Sequence, residues 1–275
     1  MLTKKKQKPV LFISFAVLLW GALAITFGVF DLKITEIVVN QTSKCAQVLE
    51  WFGEFIPGIL ITYSGVILFM YYFRVSEVKH SAFKICASLL CLFGGVIYFF
   101  KYVIEFNNLR TWLLCALFLF SVLVLFSVTT NIDITTLLYL KSIAITTIYL
   151  AIASAVVING LKFTWGRMRF EDMTNPVLQF TPWYMPQGLT GNRSFPSGHT
   201  TSASMLIVLT MFAKTCEYKL SKVICYILPI SVIIIMAYSR VVAGAHFCSD
   251  VLFAIGITIT LFYIIKSLVM KKSQL

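Results

Sequence analysis

The chain alternates long apolar runs with short polar breaks, and the runs have the length of a bilayer core. They fall at about 10–30, 56–73, 83–104, 112–128, 142–159, 198–213, 223–239 and 247–269. A bilayer core is ~30 Å thick and takes ~20 apolar residues of helix to cross. Hydrocarbon offers backbone N–H and C=O groups no partner, so such runs close their hydrogen bonds internally as helices. Charged residues make up only 12% of the chain, against about 25% in soluble domains. The sequence therefore predicts an all-α, polytopic membrane helical bundle of about eight transmembrane helices. The polar segment 31–55, with Asp31, Glu36, Glu50 and Glu54, is expected to lie along the interface as a helix. The fifth span is expected to stop at Asn159-Gly160, where the longest polar loop, 160–196, begins.

The net charge of +12 divides by loop. Eight spans put both termini on one side. If that side is cytoplasmic, it collects fourteen of the 23 Lys and Arg, beginning with Lys4, Lys5, Lys6 and Lys8. This is the bias that orients membrane helices, so the partner it implies is the lipid bilayer and not nucleic acid. Five of the nine remaining cations, Lys162, Arg167, Arg169, Arg193 and Arg240, crowd around the long loop and the last turn. Ala22-Leu23-Ala24 has the small-x-small look of a signal cleavage site, but the run continues to Phe30, so a retained first helix is expected. The seven cysteines form no CxxC pair, and no carboxylate cluster suits magnesium, so no metal or cofactor is expected. His80, among lysines on an inner loop, is read as a solvated side chain.

Three pieces share the outer face by parity of the spans. The first is Lys162 to Arg169. The second is Pro196-Ser197-Gly198-His199, a turn that opens a helix and so presents unpaired N–H groups to an anion. The third runs from Ser239-Arg240 to His246 and Asp250. Lys162, Arg169 and Arg240 supply charge and donors matched to phosphate oxygens. Ser197 and Gly198 supply a hydroxyl and backbone N–H groups. His199 and His246 are the only histidines on this face, and Asp250, four residues after His246, shares its side of a helix. A carboxylate so placed orients an imidazole by the logic of a triad.

The set Lys162-x6-Arg169, Pro196-Ser197-Gly198-His199 and Ser239-Arg240-x5-His246-x3-Asp250 resembles the three-part signature of the type 2 phosphatidic acid phosphatase family. That family includes bacterial undecaprenyl-diphosphate and phosphatidylglycerophosphate phosphatases, with soluble acid phosphatases and vanadium haloperoxidases as relatives. The resemblance covers about residues 140–270, with Phe170 where the family carries proline. It implies a six-helix phosphatase-like core among the eight spans: 136–275 is the catalytic transmembrane core carrying the three motifs, and the amino-terminal region, 1–135, has about four helices partly outside the family core. It also implies a metal-independent membrane phosphatase acting on a lipid phosphate or diphosphate. In that mechanism His246 attacks phosphorus, Asp250 orients it, and His199 protonates the leaving oxygen and then activates water. Lys162, Arg169, Arg240, Ser197 and Gly198 hold the phosphoryl oxygens. The expected location is the cell membrane, with both termini cytoplasmic and the site on the extracytoplasmic face.

Two other readings fit the same residues. A phosphohistidine can pass its phosphoryl group to a hydroxyl acceptor instead of water. A cationic vestibule on eight spans also suits a carrier of anionic solutes. The aromatic residues Phe180, Trp183 and Tyr184 of the long loop are candidates for shaping the path of an acyl or prenyl chain.

Overall fold

A computed structural model describes residues 4–75, 81–104 and 109–272. Its long helices are α1 Lys4–Val38, α2 Lys44–Arg74, α3 Ser81–Ile104, α4 Leu109–Asn131 and α5 Ile134–Trp165. A 3-10 turn, Phe170–Asp172, and the short α6 Pro176–Gln179 follow. Next comes a broken rod: α7 Gly198–Ser204, a 3-10 segment Met205–Val208, and α8 Leu209–Phe212. The chain closes with α9 Lys219–Val242 and α10 Cys248–Lys272. No strand occurs among the described residues. His80, Lys79 and the expected turn at Asn107-Asn108 lie outside them.

The all-α membrane bundle is therefore the observed architecture. Among the described residues six helices are long and apolar enough to cross a bilayer: α1, α2, α4, α5, α9 and α10. The apolar part of α3, Lys84–Phe100, is shorter. The rod from Gly198 to Phe212 has fifteen residues, or ~23 Å, against the ~30 Å of a bilayer core. Its apolar side chains face the interior. Met205, Val208 and Met211 are buried in one core with Ile67, Ile143, Leu150 and Phe262.

The segment 31–55 does not lie along the surface. Residues 31–38 continue α1, and α2 starts at Lys44, where the Ser43 side chain accepts from the Ala46 N–H. The buried Asp31 explains the difference, because its carboxylate finds a cationic partner inside the bundle. The stop expected at Asn159-Gly160 is also absent. Asn159 Nδ2 donates back to Ala155 O at 2.7 Å, so its amide is absorbed within the helix. The helix ends at Gly166, whose φ of 55° is left-handed and whose N–H reaches Lys162 O. Lys162 thus stands on the last turn of a rigid helix.

Helix α2 is the hub, packed on α3, α4, α5, α7 and α9. It meets α3 with almost no gap. A Cβ on Gly65 would lie 2.4 Å from Leu92 N, and one on Gly95 would lie 2.6 Å from Thr62 N. Small residues allow this backbone contact where lipid leaves packing as the main attraction. Helix α10 packs on α5, α7, α1 and α9. The carboxyl ends of α1, α5 and α9 and the amino ends of α2, α7 and α10 gather at one end of the bundle, where the polar residues meet.

Candidate active site

Past the Gly166 cap the backbone turns so that alternate side chains take opposite environments. Arg167 goes inward and is 1% exposed, while Arg169 is about one-third exposed. The Arg167 guanidinium spends every nitrogen. Its Nε donates to Thr181 O at 2.8 Å, and its Nη1 to Ser249 Oγ at 2.8 Å and Asp250 Oδ1 at 2.6 Å. Its Nη2 donates to Asp31 Oδ2 at 3.0 Å. The planar group lies over the Phe247 ring, 4.2 Å from its centroid. Asp31 is held in turn by the Ser249 N–H at 2.9 Å and by the Ser249 hydroxyl. One buried cation thus joins carboxylates from α1 and α10, which burial of either charge requires.

Asp250 organises the loops around it. Its Oδ2 accepts from Ser194 Oγ at 2.6 Å and from Phe247 N at 2.8 Å, while its backbone carbonyl accepts from Ser197 N at 3.1 Å. His246 Nδ1 stands 2.6 Å from the Ser194 carbonyl and 3.8 Å from Asp250 Oδ2. A carbonyl only accepts, so Nδ1 carries the proton and Nε2 keeps its lone pair. The closest partner of this ring is the Ser194 backbone. Asp250 acts by fixing Ser194 and the 246–250 turn. Burial of His246, with Lys162 and Arg169 nearby, pushes its pKa down to about 4 against the pull of Asp250.

A cavity of about 550 Å3 opens between α2, α5 and α7. Its polar end is lined by Glu54, Lys162, Arg169, Gly198, His199 and His246. Its other end is apolar, with Ile61, Tyr98, Ala151, Ile152, Ala155 and Ile158. Five of the residues singled out from sequence therefore share one cavity, including both histidines of the motifs. Three do not line it. Asp250 lies behind His246. Ser197 is fully buried as the N-cap of α7, its Oγ accepting from Thr200 N at 3.3 Å. Arg240 is fully buried and turned toward α2, with Nη2 on Ala46 O and Nη1 3.3 Å from Glu50.

Residues 143–274 match the family model of the PAP2 superfamily. The match, over just under half of the chain, supports the PAP2 family. No curated protein and no solved structure matches the chain. The PAP2 match contains all three motif pieces and, with the spanning helices, supports a membrane phosphatase family. It leaves out α1 to α4, and so leaves out Asp31, Glu50 and Glu54. Each of these carboxylates meets a residue of the PAP2 half: Asp31 with Arg167, Glu50 with Arg240, and Glu54 with His199 at 2.9 Å.

Sequence reasoning did not assign those acids to the site, nor Arg167, Ser194 or Ser249. One signal was available, since Asp31 directly follows a long apolar run and a carboxylate there is costly unless paired. The aromatic loop also differs from expectation. Phe180 stacks edge-on with Phe247 at 5.2 Å, and Trp183 Nε1 donates to Ala24 O at 2.9 Å while its ring meets Phe253 at 4.5 Å. Neither ring lines the cavity; both fasten the loop to the 246–250 turn, α1 and α10. Phe170, in the family's proline position, opens the 3-10 turn and lies edge-on to Phe247 at 6.5 Å.

Proposed function

We propose that the protein hydrolyses a lipid phosphate or lipid diphosphate through a phosphohistidine on His246. The observation that carries this reading is the His246 ring. Its Nδ1 is committed to the Ser194 carbonyl at 2.6 Å, and the ring lines the cavity beside Lys162, Arg169, Gly198 and His199. The nitrogen left for phosphorus is Nε2, and its lone pair survives because burial and neighbouring cations hold the ring neutral.

A phosphoryl group at the polar end meets Lys162 and Arg169, which take up the charge that grows on its oxygens. His246 Nε2 forms the N–P bond as the P–O bond to the alcohol breaks. His199 gives the departing oxygen a proton, then takes one from the water that cleaves the N–P bond. Asp250, through Ser194 and the turn, keeps His246 in register. Lys162 and Arg169 fill the charge-neutralising role that a divalent cation plays in other phosphatases. The apolar end of the cavity suits the chain of a lipid. An even number of spans and the charge bias favour cytoplasmic termini with this site on the outer face.

Purified protein in detergent is expected to release phosphate from lipid phosphates in the presence of EDTA. His246→Ala is expected to abolish that release while the protein still folds. Full activity in that variant would remove His246 from the chemistry. A product that appears only with an added hydroxyl acceptor, with little free phosphate, would mark a phosphotransferase.

A further inference from the structure

We infer that Glu54, on a helix outside the PAP2 match, is the positioning residue that makes His199 an effective proton donor to the leaving alcohol. The inference rests on the proposed function. His199 Nε2 lies 2.9 Å from Glu54 Oε1, close enough for an ion pair although off the line of a hydrogen bond. The imidazole is mostly buried and Glu54 is one-third exposed, so the pair is only partly screened by solvent. Both side chains line the polar end of the cavity.

The approach of α2 to this ring is built into the sequence. Residue 53 is glycine, and a Cβ there would stand 2.9 Å from His199 Cδ2 and 3.3 Å from His199 Cβ. Any other residue would push the ring or the helix away. Glu54 follows directly, so the helix that leaves room for the imidazole also delivers the carboxylate.

The charges on the elements around His199 divide in a way that singles out Glu54. Helix α2 brings Glu50 and Glu54, α5 brings Lys162, and the following loop brings Arg169. Arg240 closes α9, His246 lies in the next turn, and Asp250 opens α10. Asp250 is committed to Arg167 and Ser194. Glu50 sits with Arg240. Glu54 is the carboxylate that faces His199. Lys162 and Arg169 line the same polar end of the cavity, where the phosphoryl group of the proposed function would sit.

The step this assists is the first one. As His246 Nε2 bonds to phosphorus and the ester P–O bond breaks, the proton on His199 moves to the departing oxygen. An alkoxide needs that proton and a nitrophenolate does not. Loss of the positioning carboxylate therefore falls unequally on two substrates of different leaving group. A merely structural role would reduce both alike.

The experiment compares wild type, Glu54→Gln and Glu54→Asp on a short-chain alkyl phosphate and on p-nitrophenyl phosphate, reading kcat/KM. That constant counts only steps up to departure of the leaving group. Glu54→Gln is expected to lose about thirtyfold on the alkyl phosphate, part of the 10²–10⁴ that a general acid contributes, and less than about threefold on the nitrophenyl ester. Glu54→Asp should recover most of the alkyl activity. Should Glu54→Gln fail to fold, the partial loss in Glu54→Asp is read for the same selectivity. Equal losses on both substrates, or no loss on either, overturn the inference while wild-type activity and an inactive His246→Ala leave the proposed function standing. A wild type that hydrolyses neither ester, or an active His246→Ala, overturns both.

Discussion

The PAP2 half of the molecule and the amino-terminal helices contribute opposite charges to the same place. From α5 onward come the cations and both motif histidines: Lys162, Arg167, Arg169, Arg240, His199 and His246. From α1 and α2 come carboxylates: Asp31, Glu50 and Glu54. Helices α3 and α4 differ from both. They meet α2 through glycines and through an aromatic cluster of Phe99, Phe118 and Tyr63, with ring centroids 4.0 Å apart for Phe99 and Phe118. The contrast separates two uses of a cation. Arg167 and Arg240 are fully buried and paired with acids of α1 and α2. Lys162 and Arg169 line the cavity, where the proposed function has them meet a phosphoryl group.

The sharpest way to break this division is Arg167→Ala. It leaves Asp31 and Asp250 buried without their cation, and a broken buried pair costs about 3–5 kcal/mol. The melting temperature in detergent should fall steeply, with activity lost through unfolding. A melting temperature near wild type would show that the buried network contributes little.

Arg169→Ala should behave in the opposite sense. Its partner Glu171, at 3.0 Å, forms an exposed pair of the kind worth about 0–1 kcal/mol, so the melting temperature should hardly move. Removing a donor that meets charge developing in the transition state costs about 10²–10³ in rate, so kcat/KM should fall by about that factor. Equal losses of stability and activity in both arginine variants would erase the distinction between them.

The smallest effect concerns His246, which is buried like Arg167 yet faces the cavity. Its proton affinity is depressed, so it stays neutral down to about pH 4 when folded, and an unfolded histidine takes a proton near 6.5. Between those values the unfolded chain binds more protons, so stability should decline as pH falls from about 6.5 toward 4. The acid limb of kcat/KM should lie near 4. An acid limb near 6.5 would place His246 in a solvated setting and contradict its position behind the cations.

Much of this was legible in the residues. Long uncharged runs left helices as the available fold, and five residues of the three motif pieces share one cavity. The misreadings have local physical causes. Asn159-Gly160 looks like a helix stop, but Asn159 satisfies itself on Ala155 and the left-handed glycine comes six residues later. The acids of 31–55 look like a solvated surface, because a carboxylate carries no sign of the partner that will desolvate it.

Hydropathy and motif spacing settled the class of fold and the common end of the bundle where the motif pieces meet, because each depends on short-range regularities of the chain. Pairing of charges was settled by packing. Asp31 and Arg167 are 136 positions apart, as are few pairs one would guess. Which cation is neutralised and which is left for a ligand depends on which helix faces close over it, and the order of residues along the chain does not encode that contact.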